Sequence, residues 1–309
     1  MRRVLLVATG DVLAYHKRGV ATAKELLDTV NVPGIEVSTE GILAEPSWDT
    51  SPGTMLSLAR RARAAILDDG FDGVVVTHGV DTLADTAFLA DLMAGPATAR
   101  GAIVFTGAIR CLDEPGTDGP ANLRDAIRAA ANPAARGLGA LVCCHGELHA
   151  ARWATLVDAS HRPAFSSAPH WPVRLGSTVL PRWPYAATEP ESDVALIKTY
   201  PGLPPTLLTT VTDAGARGVV LEGTGAGNVP VELFATINEL STWDIPVVVA
   251  SSARTDAAVA THEAIGLAGK IGAIGARGLS PSHARIAMMV ALGSGGGVAA
   301  VREWFDRLP

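Results

Sequence analysis

Two short loops, Thr9-Gly10-Asp11-Val12-Leu13 and Thr77-His78-Gly79-Val80-Asp81-Thr82, carry the side chains of this chain best suited to proton transfer. Each loop follows an apolar, β-branched run (residues 4–7 and 73–77), so each falls where a strand ends. Their carboxylates, Asp11 and Asp81, form a set with Tyr15, His16 and Lys17 just beyond the first loop. Such a set could support general acid–base catalysis. If Asp11 and Asp81 approach closely, like-charge repulsion raises the pKa of one and keeps it protonated at neutral pH. Each residue also has a plainer use. Asp81 stands at a helix start, where an N-cap belongs. His78 precedes a turn glycine and can simply satisfy backbone groups. Asp11 can cap its turn or balance a cation, and the Tyr15-His16-Lys17-Arg18 stretch can be a solvated loop.

Other reactive side chains point to packing. Cys143, Cys144 and His145 end a buried run, where core cysteines are expected rather than a nucleophile. His145 and His149 have no carboxylate at a recognised metal spacing, and neither a metal nor a cofactor is expected. The loop Gly223-Thr224-Gly225-Ala226-Gly227-Asn228 follows an apolar run but lacks the last glycine of a dinucleotide fingerprint and the acidic residue beyond it. Gly293 to Gly297 reads as a helix C-cap and turn.

The elements that must position these loops alternate regularly. Strands are expected over residues 4–7, 35–38, 73–77, 102–106 and 140–144. Helices are expected over 23–30, 55–68, 83–93 and 121–131, with helix-start signals at Asp81 or Thr82 and at Asp118-Gly119-Pro120. Continuous apolar strands separated by amphipathic helices imply a mainly parallel sheet covered on both faces, an α/β fold. Ligands in such sheets sit beyond the carboxyl ends of the strands, where strand order reverses, so both loops belong at one crevice. From about Pro172 the pattern changes to turns and short antiparallel pieces. A Glu-, Thr- and Pro-rich linker over 186–193 follows. A second α/β series then runs over strands 194–197, 218–221 and 247–250 and helices near 206–214, 229–240, 282–292 and 297–307. The expected domains are 1–185, carrying the site loops, and 194–309.

The 309 residues suffice for two such domains. A net charge of −6 without a basic run argues against nucleic acid or an anionic membrane as partner. The apolar run after Met1-Arg2-Arg3 is too short for a signal peptide, and no stretch reaches the roughly 18 apolar residues of a membrane span. Three cysteines supply no disulfide framework, and a cytoplasmic protein is expected.

Several of these blocks resemble signatures of the L-asparaginase/glutaminase family, over nearly the whole chain. Thr9-Gly10-Asp11-Val12-Leu13-Ala14 resembles its Thr-Gly-Gly-Thr-Ile-Ala, and Thr77-His78-Gly79-Val80-Asp81-Thr82 its Thr-His-Gly-Thr-Asp-Thr. Pro46-Ser47-Trp48-Asp49, Gly107-Ala108-Ile109-Arg110, Asp118 to Leu123 and Glu147 to Leu156 resemble further family blocks. The resemblance implies an asparaginase-like fold of two doubly wound domains. It also implies a homodimer or homotetramer with sites at the subunit interface. The family's catalytic threonines fall on Val12 and Val80, and its catalytic lysine on Leu156. Of the hydrolytic set only Asp81 is kept, and Asp11 replaces a glycine. By the same resemblance Ser47 and Asp81 hold a ligand's amino-acid groups, the bulky Trp48 stands where the family has a polar residue with that role, and Tyr15 or His16 falls near a functional lid tyrosine. Asn228 is contributed to the neighbouring subunit's site, with Glu263 the nearest candidate for a cross-subunit glutamate.

The expected function is therefore binding of a small amino-acid-like or carboxylate ligand, with acid–base chemistry such as elimination, cyclisation or isomerisation. Asp11, Asp81, Tyr15 and His16 are its expected catalytic residues. Ser47, Trp48, His78, Val12, Val80, Ala108 and Asn228 are its expected ligand contacts. The alternatives are a ligand-binding pseudoenzyme and a residual L-asparaginase-type amidohydrolase.

Overall fold

A computed structural model describes residues 1–42, 45–181, 183–253 and 266–308. The chain forms two compact units, Met1–Leu180 and Pro181–Pro309. In the first unit a six-stranded sheet is built from β1 (Arg2–Ala8), β2 (Ile35–Gly41), β3 (Gly73–Thr77), β4 (Ala102–Thr106), β5 (Ala140–Cys144) and β6 (Glu147–Ala150). Their spatial order is β2-β1-β3-β4-β5-β6, and only β5 with β6 is antiparallel. The β3, β4 and β5 strands are buried along their whole length, as expected for a parallel sheet covered on both faces.

Helix α1 (Ala23–Asp28) and helix α4 (Gly119–Ala131) share one apolar cluster with the sheet, including Leu6, Leu26, Val75, Val104, Leu123, Ile127 and Leu141. Helices α2 (Pro52–Leu67) and α3 (Val80–Ala94) pack against one another and bury Leu58, Ala62, Phe88 and Leu92. Close approach of α4 to the sheet explains Gly73 at the start of β3. A Cβ there would collide with the Ala130 carbonyl oxygen.

Chain order sets the site. β1 is flanked by β2 on one side and β3 on the other, so strand order reverses between β1 and β3. The loops leaving those two strands carry Asp11 and His78-Gly79, which places both at the expected crevice.

The expected helix start at Asp118-Gly119-Pro120 holds, and the one at Asp81 or Thr82 needs correction. Helix α3 begins at Val80 with Gly79 as its N-cap, so neither Asp81 nor Thr82 caps it; Asp81 lies in its first turn. Asp118 does precede α4, but its side chain makes no capping bond to that helix and serves other donors. The antiparallel pieces expected beyond Trp171 are also not found among the described residues there. The short antiparallel pairs are Tyr15–His16 with Gly19–Val20, and Thr155–Leu156 with Phe165–Ser166.

In the second unit four parallel strands stand in the order β7 (Val194–Lys198), β8 (Gly218–Gly223), β9 (Val247–Ser251), β10 (Ile274–Gly275). Val219, Leu221, Val247 and Val249 pack with Leu208, Leu233, Ile237 and Leu240 on one face. Residues 186–193 are bonded within this unit, Glu191 N–H donating to the Met289 carbonyl. No helix among the described residues is long and apolar enough to cross a membrane.

Replacing Gly73 with alanine is expected to force α4 away from β3. Overpacking of this kind costs about 1–3 kcal/mol. A lower urea midpoint with an unchanged m-value is the expected result, and an unaltered midpoint would mean that α4 yields without cost.

Candidate functional site

The ends of β1 and β3 are tied to each other through side chains. Thr9 Oγ1 donates to the Thr77 carbonyl at 2.7 Å, and Thr9 N–H reaches Thr77 Oγ1 at 3.4 Å. Both threonines are buried, which removes water as a competitor. The first loop then turns at Asp11, whose backbone lies at φ 66°, ψ −171°. That region is essentially reserved for glycine and costs about 1–3 kcal/mol when another residue is held there.

The compensation is local. Asp11 Oδ1 accepts from Val12 N–H at 2.6 Å, and Oδ2 accepts from Ser47 N–H at 2.6 Å. Hydrogen bonds to a charged group are worth about 1.5–3 kcal/mol each, so the pair outweighs the backbone strain. Asp11 is 1% exposed and therefore joins the β1 loop to the Ser47–Asp49 turn from inside the protein. Gly79 presses on the same place: a Cβ on it would collide with Asp11 Oδ2 and Ser47 Oγ. Beside them remains a cavity of about 10 Å³, lined by Thr9, Glu45, Ser47, Thr50, Thr54, Leu58, His78 and Gly79. That volume is at the lower limit for one water molecule.

Ser47 stands between the two carboxylates expected to act together. Its amide serves Asp11, while its hydroxyl faces Asp81 Oδ2 at 3.4 Å, and Thr82 Oγ1 donates to its carbonyl at 2.7 Å. The long Ser47–Asp81 separation leaves that hydroxyl weakly held. Asp81 is exposed in the first turn of α3, where the helix dipole favours a negative charge. Val80, beside it, is buried, and Trp48 is 67% exposed on the turn after Ser47.

His78 takes the structural role. Its Nδ1 donates to the Gly79 carbonyl at 2.9 Å, which leaves Nε2 to accept from Thr86 Oγ1 at 3.0 Å. Burial holds its pKa below the usual histidine value, only partly offset by the Gly79 carbonyl and the Asp11 charge, so the ring is neutral. Tyr15 begins the small hairpin after Val12–Ala14, and burial, followed by the Asp11 charge, raises its pKa. Its phenol thus stays protonated as a hydrogen-bond donor. His16 Nδ1 accepts from Arg18 N–H, and Lys17 N–H donates to Asp113. Ala108 is buried beside the start of α4, and Leu156 pairs with Phe165 in the short hairpin that packs on α3.

The same architecture is found in known proteins. Residues 3–182 match the family model described as "Asparaginase, N-terminal", and residues 193–305 match "Glutaminase/Asparaginase C-terminal domain". The chain belongs to the asparaginase family. It is 27% identical to an L-asparaginase of Bacillus licheniformis over 95% of this chain and 96% of that one. It is 30% identical to a probable L-asparaginase of Deinococcus radiodurans, covering 99% and 97%. It is also 33% identical to a glutamyl-tRNA(Gln) amidotransferase component of Methanothermobacter thermautotrophicus over 74% of this chain, which spans 54% of that protein. The crystal structure of a probable cytoplasmic L-asparaginase from Campylobacter jejuni superposes with a TM-score of 0.83 at 24% identity, covering 100% of both chains, which shows the shared fold.

In this asparaginase-family chain a second polar cluster lies outside the candidate site residues. Asp118, 2% exposed, accepts from the Ile109 and Arg110 amides at 3.2 Å, from Asn122 Nδ2 at 3.0 Å and from His145 Nε2 at 2.8 Å. Burial alone would raise its pKa, but the bonds from His145 and the Ile109 amide hold it below the usual carboxylate range. His145 Nδ1 accepts from Ala164 N–H, so both ring nitrogens are occupied. His145 and Gly146, at φ 53° and 78°, form the tight turn between β5 and β6. The available signal was Asp118 one residue before a Gly-Pro helix start; nothing local announces its distant donors.

Cys143 and Cys144 are buried and poorly suited to act as nucleophiles. Burial pushes the Cys143 thiol up, and the Cys144 thiol up to about 12. Among the described residues no group of three His, Cys, Asp or Glu is placed to hold a metal ion. Asn228 lies in the second unit, where its backbone pairs with Thr224 across the loop after β8. Glu263 falls outside the described residues.

Because the folded-state pKa of His78 lies below its ordinary 6.5, the unfolded chain binds that proton first as pH falls. Stability from His78 is thus fully present above about 6.5 and is lost as pH drops toward the folded value. His149, also lowered by burial, acts with the same sign. A His78→Gln variant should show a smaller fall in urea midpoint than the parent between about pH 7.5 and pH 5. Equal falls would place the proton uptake elsewhere.

Proposed function

We propose that this asparaginase-family chain binds a small amide-bearing, amino-acid-like molecule at the β1–β3 crevice and acts as an amidohydrolase without a threonine nucleophile. The carrying observation is the Ser47 hydroxyl facing the exposed Asp81 carboxylate at 3.4 Å over that crevice. The names of the L-asparaginase relatives support amide chemistry. The residues at the positions of the family threonines set the route: Val12 and Val80 have no heteroatom to attack a carbonyl, and Leu156 has none to activate one.

Hydrolysis by this chain then requires water as the nucleophile. A water that adds to the amide carbonyl gives up one proton and the departing nitrogen takes one, so the immediate products are a carboxylic acid and ammonia, which exchange a proton to become carboxylate and ammonium. Asp81 is the available proton acceptor and the protonated Tyr15 phenol the available donor. Asp11 is not given the proton-transfer role, because both of its oxygens are bonded to backbone amides. An acid–base reaction that needs two free carboxylates, such as elimination or isomerisation, is correspondingly less well supported. The apolar side chains at 12, 80 and 156 favour one second reading, ligand binding without turnover.

Ammonia release from a panel of primary amides is the direct test. Release that tracks purified protein and falls at least tenfold in Asp81→Asn is expected, with asparagine and glutamine near background. Saturable amide binding with no ammonia from any amide would exclude hydrolysis and leave the binding reading.

A further inference from the structure

We infer that Asp11 is a built-in anion, occupying the crevice's anion-binding amides and excluding ligands that carry a free carboxylate there. The Val12 and Ser47 amides come from separate loops and converge on one point. Converging amides of this kind recognise oxyanions. Here the oxyanion is internal, with one oxygen on each amide at 2.6 Å.

Asp11 caps the Val12–Ala14 turn, and three features identify the arrangement as anion recognition as well. The backbone at Asp11 adopts a conformation suited to glycine, so the side chain is held there against local preference. The carboxylate is 1% exposed, yet among the described residues it has no Lys or Arg partner, and its bonded donors are the two amides. Gly79 closes over it, and the adjoining cavity of about 10 Å³ cannot hold a second carboxylate.

A ligand carboxylate would have to displace Asp11 and leave a buried charge unpaired, which is strongly unfavourable. At the mouth the exposed Asp81, with the buried Ser47 hydroxyl behind it, suits a positively charged amine. The ligand class is therefore an ammonium-bearing amide without a free carboxylate, an assignment that rests on the amide reading above. Exclusion of carboxylates by Asp11 does not depend on that reading.

Isothermal titration with acetate, L-aspartate and glycinamide, combined with the amide resonances of Val12 and Ser47, tests both parts. The parent protein should show no saturable acetate or L-aspartate binding at millimolar concentration. Asp11→Gly, which suits the backbone conformation, should bind acetate at least tenfold more tightly and shift the Val12 and Ser47 amides. Asp11→Asn keeps the volume filled and should gain no acetate binding, while its Ser47 amide resonance moves from the parent position. Saturable acetate binding by the parent at those amides would overturn the inference even if no variant folded. So would a folded Asp11→Gly protein that binds acetate no better than the parent. Glycinamide binding that weakens tenfold in Asp81→Asn supports the ligand class, and undiminished binding removes it. Absence of ammonia release, by contrast, counts against hydrolysis alone.

Discussion

The first unit's crevice depends on one buried carboxylate holding two loops. Asp11 reaches from the end of β1 to the amide that opens the Ser47–Asp49 turn. Because the bonds are short, charge-assisted and hidden from water, they outweigh a backbone conformation that an L-residue would otherwise leave. The positions of Ser47 and Trp48 follow from that tether, while Asp81 is placed by the first turn of α3. Gly79 follows as well, since only a residue without a Cβ fits against the pair.

A similar device recurs one strand further on. Asp118 collects two backbone amides, an asparagine and a histidine, and so fixes the loop after β4 to the β5–β6 turn. Both carboxylates satisfy backbone donors that irregular segments leave without sheet or helix partners. Strand ends in a parallel sheet always create such donors, and here acidic side chains supply the acceptors. The floor of the crevice is thus tied by hydrogen bonds, with the exposed Asp81 at the rim.

Much of this was legible in advance, for specific reasons. The runs at 73–77, 102–106 and 140–144 are bounded by polar or glycine residues and are buried on both faces, so their limits are visible in composition alone. Placement of the Asp11 and His78 loops together followed from chain order and the general behaviour of parallel sheets. The neutral, satisfied His78 matched the plainer of its two readings. Helix starts were less legible: Asp81 has the residue type of a cap, but α3 begins one residue earlier, at Val80, because Gly79 supplies the extended turn. Asp118 likewise sits where a cap would be and bonds elsewhere.

Taken alone, the sequence determined the α/β class, the strand cores, the two site loops and the apolar character of Val12, Val80 and Leu156. These are local or periodic properties, set by side-chain type and spacing along the chain. Only the tertiary structure decided what Asp11 does. Its partner amide belongs to Ser47, far along the chain, and the pairing exists because β1 and α3 bring the Ser47 turn and Gly79 against it. A carboxylate that reads as a free acid or base in the sequence is, once folded, an acceptor with both oxygens engaged, because burial leaves converging amides and no water to compete for them.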